Sequence, residues 1–96
     1  MDLNDYSSRF LTELLREFPE FTGRARAGEE VGCFTVELAA STGSILWIST
    51  EEFGRITVGS DAHHVHFGGW ADSVDARDFA DAVARIRRLL SGESSI

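Results

Sequence analysis

Lysine is missing from this 96-residue chain, and all nine basic side chains are arginine. With Ala, Gly and Asp plentiful, this reads as the coding bias of a GC-rich genome of bacterial type, not as chemistry. Cysteine occurs once, at Cys33, which excludes an intrachain disulfide and a cysteine-based zinc cage. A lone thiol of this kind is expected to behave as a small core residue. No stretch approaches the roughly 18 consecutive apolar residues of a spanning helix, and the N-terminal MDLNDYSSRF carries Asp2 and no apolar run of signal-peptide length. A soluble, cytoplasmic protein with no membrane partner is expected. Neither G-x-x-x-x-G-K-[ST] nor G-x-G-x-x-G occurs, so no phosphate-cradling loop is present in the pattern. None of Ser41, Ser44, Ser49 and Ser60 sits in a Gly-x-Ser-x-Gly elbow. No catalytic residue and no cofactor are assigned, and a non-enzyme is the expectation.

What is present points to one packed domain. Hydrophobic residues make up 43% of the chain, with seven Phe and two Trp, and 96 residues leave room for a single core. Sixteen acidic residues against nine arginines give a formal charge of -7. Such a chain repels a phosphate backbone and draws in basic partners, so no nucleic acid is expected.

Leu3, Tyr6, Phe10, Leu14 and Phe18 recur at helical spacing, with Leu11 and Leu15 widening the stripe. Asn4 or Asp5 can cap this helix, and Pro19 stops it. PEFTGRARAGEE then reads as a loop without period. Four period-two segments follow. VGCFTVEL sends Phe34, Val36 and Leu38 to one face and Cys33, Thr35 and Glu37 to the other. ILWIS is apolar on both faces and fits either register; with Leu46 and Ile48 turned to the helices, Trp47 faces the other way. RITVG turns Ile56 and Val58 inward and Arg55 and Thr57 outward, and HHVHF turns Val65 and Phe67 inward and His64 and His66 outward. STGS at 41–44, EEFG at 51–54 and GSDA at 59–62 supply hairpin turns.

After Gly68, Gly69 and Trp70, the last placed at the sheet-to-helix corner, Phe79, Ala82, Val83, Ile86, Leu89 and Leu90 form a second helical stripe. Asp72 or Asp75 can cap it, Gly92 ends it, and residues 92–96 are a frayed tail. The expected fold is a two-layer α+β domain of order α-β-β-β-β-α: a four-stranded antiparallel meander with both helices on one face.

The other sheet face is then open and collects Cys33, Thr35, Glu37, Trp47, Arg55, Thr57, His64 and His66. Of these, Trp47, His64, His66, Glu37 and Arg55 are the candidate partner-binding residues. His64 and His66 stand on one side of a strand with Cβ atoms about 7 Å apart, which one metal ion can span. Only Glu37 or Asp61 offers a third ligand, so no metal site is assigned. A small-ligand or metal module built on the two histidines, or a homodimer formed through the open face, is the alternative to a protein-docking surface.

LWIST, GRITVG and HHVHF, followed by a helix begun by acids and ended by Leu89-Leu90, resemble a group of small bacterial immunity or immunity-like proteins of polymorphic toxin systems. The resemblance covers residues 46–67 and, loosely, the helix to position 90, with His63 standing where the group's pattern has an aromatic residue. It implies a non-enzymatic domain that binds and neutralises a cognate toxin, with Trp47, His64 and His66 as contacts.

Overall fold

In the computed structural model, which describes residues 2–39, 43, 45–51, 54–60, 63–69 and 74–91, α1 spans Asp5–Glu17. Its start is set by Asn4, whose Oδ1 accepts the Ser7 N–H at 2.7 Å, satisfying one of the orphan donors of the first turn. It ends at Glu17, two residues before Pro19, and a single 3-10 turn, Pro19–Phe21, folds Phe21 back into the core against Phe18 at a ring separation of 5.0 Å.

Five strands follow, not four: β1 Arg26–Ala27, β2 Phe34–Ala39, β3 Ile45–Glu51, β4 Arg55–Ser60 and β5 His63–Gly68. They form one antiparallel sheet in chain order. The added strand comes from the stretch read as loop. It is two residues long and exposed on both positions, so it has no apolar alternation to betray it. Its short length and Arg26 suit an edge that must not recruit another chain. Parts of the three expected turns, Trp70, Asp72 and the tail beyond Ser91 lie outside the described residues.

The helix α2, Asp75–Leu90, begins at Val74 with no side-chain cap. Asp75, expected as a capping residue, is instead the first helical residue, and its carboxylate accepts from Arg9 Nη2 of α1 at 2.8 Å. A second bridge, Arg87 to Glu17 at 2.9 Å, ties the other ends of the two helices.

Both helices lie on one sheet face, because residues of each meet the same inward side chains in one core. Phe10 of α1 stacks on Phe34 of β2 at 6.1 Å and meets Phe79 of α2 at 5.2 Å. Leu46, Ile48, Ile56 and Val58 complete the floor, each 1% exposed or less. One polar group sits under α1: Ser7 Oγ and Thr50 Oγ1 are 2.7 Å apart, and Thr50 Oγ1 also accepts the Phe34 N–H at 3.2 Å. A buried hydroxyl pair is tolerable here because each oxygen is hydrogen-bonded. Cys33, expected as a small core thiol although strand alternation grouped it with the open face, is buried at the entry to β2, with its Sγ 3.9 Å from Asn4 Nδ2. The strand begins one residue later, so Cys33 does not share the alternation of Thr35 and Glu37. No helix among the described residues is long and apolar enough to cross a membrane.

Phe34→Ala and Ile86→Ala should each cost about 2–5 kcal/mol through lost burial and residual cavity, read as a lower urea midpoint; a loss below about 0.5 kcal/mol would contradict the inward face. Tyr6 gives a second check. Its hydroxyl is buried, and burial together with Asp75 and Asp78 raises its pKa from 10.0 to about 12 against the opposing pull of Arg9. The folded state therefore holds the phenolic proton more tightly than the unfolded chain does, and stability should fall as pH rises from about 10 to about 12. With no lysine and one tyrosine in the chain, the phenolate absorbance band reports this group alone. Tyr6→Phe should remove the decline, and an unchanged slope in the variant would refute the assignment.

Candidate functional site

The face away from the helices is organised by cross-strand rungs, since residues paired in register point the same way. One rung runs Glu37, Trp47, Gly59, His64 across β2 to β5. The next runs Arg26, Thr35, Ser49, Thr57, His66 across all five strands. A third joins Glu51, Arg55 and Gly68. The register thus brings Trp47, His64 and His66 together with Thr57. Glu37 lies on the far side of Trp47 from the histidines, and Arg55 lies beside Glu51. Leu46 and Ile48 are buried, which fixes Trp47 outward.

Trp47 is half-buried, and it is not part of the core that the two described helices cover. Its indole lies over Gly59: a Cβ built at that glycine would sit 2.1 Å from Trp47 Cε2. A glycine inside a strand often marks close approach of another group. Gly59 was expected to open the turn after β4, but it is an interior residue of that strand and serves as the floor for the tryptophan. From Trp47 the aromatic surface continues to His64 at 6.1 Å and from His64 to His66 at 5.0 Å, edge to face. Ile45, on the same side of β3, is 49% exposed and extends the apolar surface.

His66 is fixed from beneath. Its Nδ1 is 2.8 Å from Thr57 Oγ1, and Thr57 Oγ1 donates to Glu51 Oε1 at 2.7 Å. A hydroxyl has one proton, and here it goes to the carboxylate. Toward His66 the oxygen can only accept, so Nδ1 carries the ring proton and Nε2 of the neutral ring is the acceptor. Thr57, expected to be a wet outward residue, is outward but only 2% exposed, because Glu51 and His66 close over it. Glu51 is held in turn by Arg55, with Oε2 3.6 Å from Arg55 Nε. The pattern of Glu51, Thr57 and Gly59 was not singled out in the sequence; the signals were a glycine opposite a tryptophan and a threonine between histidine and acid.

Among the described residues His64 and His66 find no third ligand. No group of three His, Cys, Asp or Glu side chains among the described residues could hold a metal, and Asp61 lies outside them. His63 points to the opposite side of β5 from this pair, as strand alternation requires. A separate apolar groove lies in the helix layer, floored by Phe79 and Val83 and walled by Ala80, Ala84 and Glu13. It is crossed at its ends by the Arg9–Asp75 and Arg87–Glu17 bridges and holds none of the candidate residues.

Gly59→Ala should drive Trp47 off the sheet and destabilise the fold by about 1–3 kcal/mol, as overpacking does. Most of that cost should vanish in a Gly59→Ala, Trp47→Ala background, because the two positions are in contact. Additive costs in the double variant would show that the ring is not seated on Gly59. The site rests on this geometry alone: compared with protein-family models, curated proteins and solved structures, the chain matches none.

Proposed function

We propose that the chain is a non-enzymatic protein-binding domain, an immunity-type inhibitor that acts in the cytoplasm by docking a basic toxin domain onto its open sheet face. The observation that carries this reading is Trp47, seated on Gly59 in an aromatic surface that no described helix packs against. Tryptophan anchors of this kind supply much of the binding energy at protein interfaces. The formal charge of -7 supports a basic partner, drawn in by the field of the whole molecule. The resemblance of LWIST, GRITVG and HHVHF to immunity proteins of toxin systems supplies the toxin class.

The test is a binding measurement against the product of the adjacent gene. Trp47→Ala and His64→Ala should each raise the dissociation rate and cost about 1 kcal/mol or more, as expected at a central contact. Glu37→Arg should act differently, slowing association most at low salt, because an exposed charge works through steering. Glu51 is unsuitable for that comparison, since its reversal would also release Thr57 and His66. No binding at micromolar protein would defeat the proposal. Unchanged binding by a Trp47→Ala, His64→Ala, His66→Ala variant would move the interface elsewhere.

A further inference from the structure

The docking face offers a more specific chemistry than an apolar patch, and the inference rests on the reading of that face as a partner surface. Three features meet at its β4–β5 end. The first is a run of ring surface from Trp47 through His64 to His66, in steps of 6.1 and 5.0 Å. The second is an acceptor of fixed position: Thr57 and Glu51 hold His66 with its proton on Nδ1, and Nε2 has no protein partner among the described residues. The third is the sign of the surroundings. The chain is acidic, Arg55 is engaged by Glu51, and Arg24 and Arg26 belong to the far, β1 edge of the sheet.

We propose that this end of the face seats a guanidinium group, an arginine side chain of the partner that lies on the Trp47 and His64 rings and donates an N–H to His66 Nε2. The fit follows from the donor inventory. A guanidinium is flat, permanently charged, carries only donors and stacks on aromatic faces, so it uses the ring surface and the acceptor together. A lysine ammonium is a compact, strongly hydrated charge with no flat surface to stack. A carboxylate would face an acceptor and an acidic field. The same geometry makes the seat sensitive to acid. Protonation of Nε2 turns the acceptor into a donor and places a cation beside the incoming one. The charged and titratable groups facing His66 are Glu51 of β3, Arg55 of β4 and His64 of β5, and protonation of His64 acts in the same direction.

The experiment uses the full chain and nitrogen-15 NMR of the histidine rings. In the free protein at neutral pH, His66 should show a protonated Nδ1 and a bare Nε2; the opposite tautomer overturns the proposal. Nα-acetyl-arginine methylamide, the probe, should then shift the Trp47 indole, His64 and His66 signals with a dissociation constant on the order of millimolar, as befits one side chain. Its citrulline counterpart, of similar shape but uncharged, should bind about tenfold more weakly. Binding should be lost at a pH where the ring signals show His66 protonated. Thr57→Val, close in volume, should leave the fold intact and the tautomer unlocked, and should weaken the arginine probe without touching Trp47. Equal shifts by both probes overturn the seat, as does tight capture of both histidines by stoichiometric zinc in place of the probe. A basic protein that binds the face while the arginine probe does not would remove the guanidinium seat and leave the docking reading standing. A working seat on a chain that binds no basic protein would do the reverse.

Discussion

The contact on which this fold depends is Phe10 between Phe34 and Phe79. It is where α1, α2 and the sheet meet, and it is fully buried. Each helix alone has a narrow apolar stripe that a 96-residue chain can bury only against a shared surface. Placing both stripes on the same sheet face satisfies that need with one core, and it commits all helical cover to one side. The outer bridges, Arg9 to Asp75 and Arg87 to Glu17, set the helices against each other but are exposed and contribute little stability. Phe10 touches all three elements, whereas either bridge joins only the two helices.

One-sided cover has a consequence for the second face. Its residues cannot be chosen for burial under a helix, yet a sheet face of this size still has to hold its register. Here the pairing of Trp47 with Gly59 and of His66 with the buried Thr57 does so while Trp47 and His66 stay partly exposed. The same contacts that pin the strands also orient a tryptophan face and an imidazole nitrogen. Rigidity of this kind lowers the ordering cost of binding, because the contact groups are already in place.

Much of this was legible in the sequence, and the omissions have physical causes. Helix periodicity located both helices, and the strand alternation of Phe34, Val36, Ile56 and Val58 located the core face, because those patterns are direct imprints of burial. The register of ILWI was ambiguous from periodicity alone, and it is resolved by the burial of Leu46 and Ile48. Strand β1 was not legible, since it is held by backbone pairing and carries no buried side chain. Cys33 was misplaced by extending the alternation past the end of the strand, where it no longer applies. Among the candidate residues, the clustering of Trp47, His64 and His66 followed from alternation plus register. The hydrogen-bonded chain beneath His66 did not, because it joins residues six and nine positions apart through pairings that only the folded sheet defines.

Charge and contact are also separated in this molecule. The cations of the helix layer and of the third rung are largely taken up by neighbouring acids: Arg9 by Asp5 and Asp75, Arg16 by Glu13, Arg87 by Glu17 and Arg55 by Glu51. Asp2, Glu20 and Glu29 are exposed outside the sheet, and Glu37 is exposed on β2, across Trp47 from the histidines. A field from such groups acts over roughly a Debye length and selects partners by sign before contact. In the proposed docking, the rings of Trp47, His64 and His66 act only at van der Waals distance and select by shape and donor pattern. Because the two kinds of selection occupy different residues, each can change without dismantling the other. A face with an uncharged aromatic centre also avoids the desolvation cost that a buried cluster of carboxylates would impose on the complex. In the proposed docking, the acidity of the chain and the uncharged rings of its open face are therefore compatible.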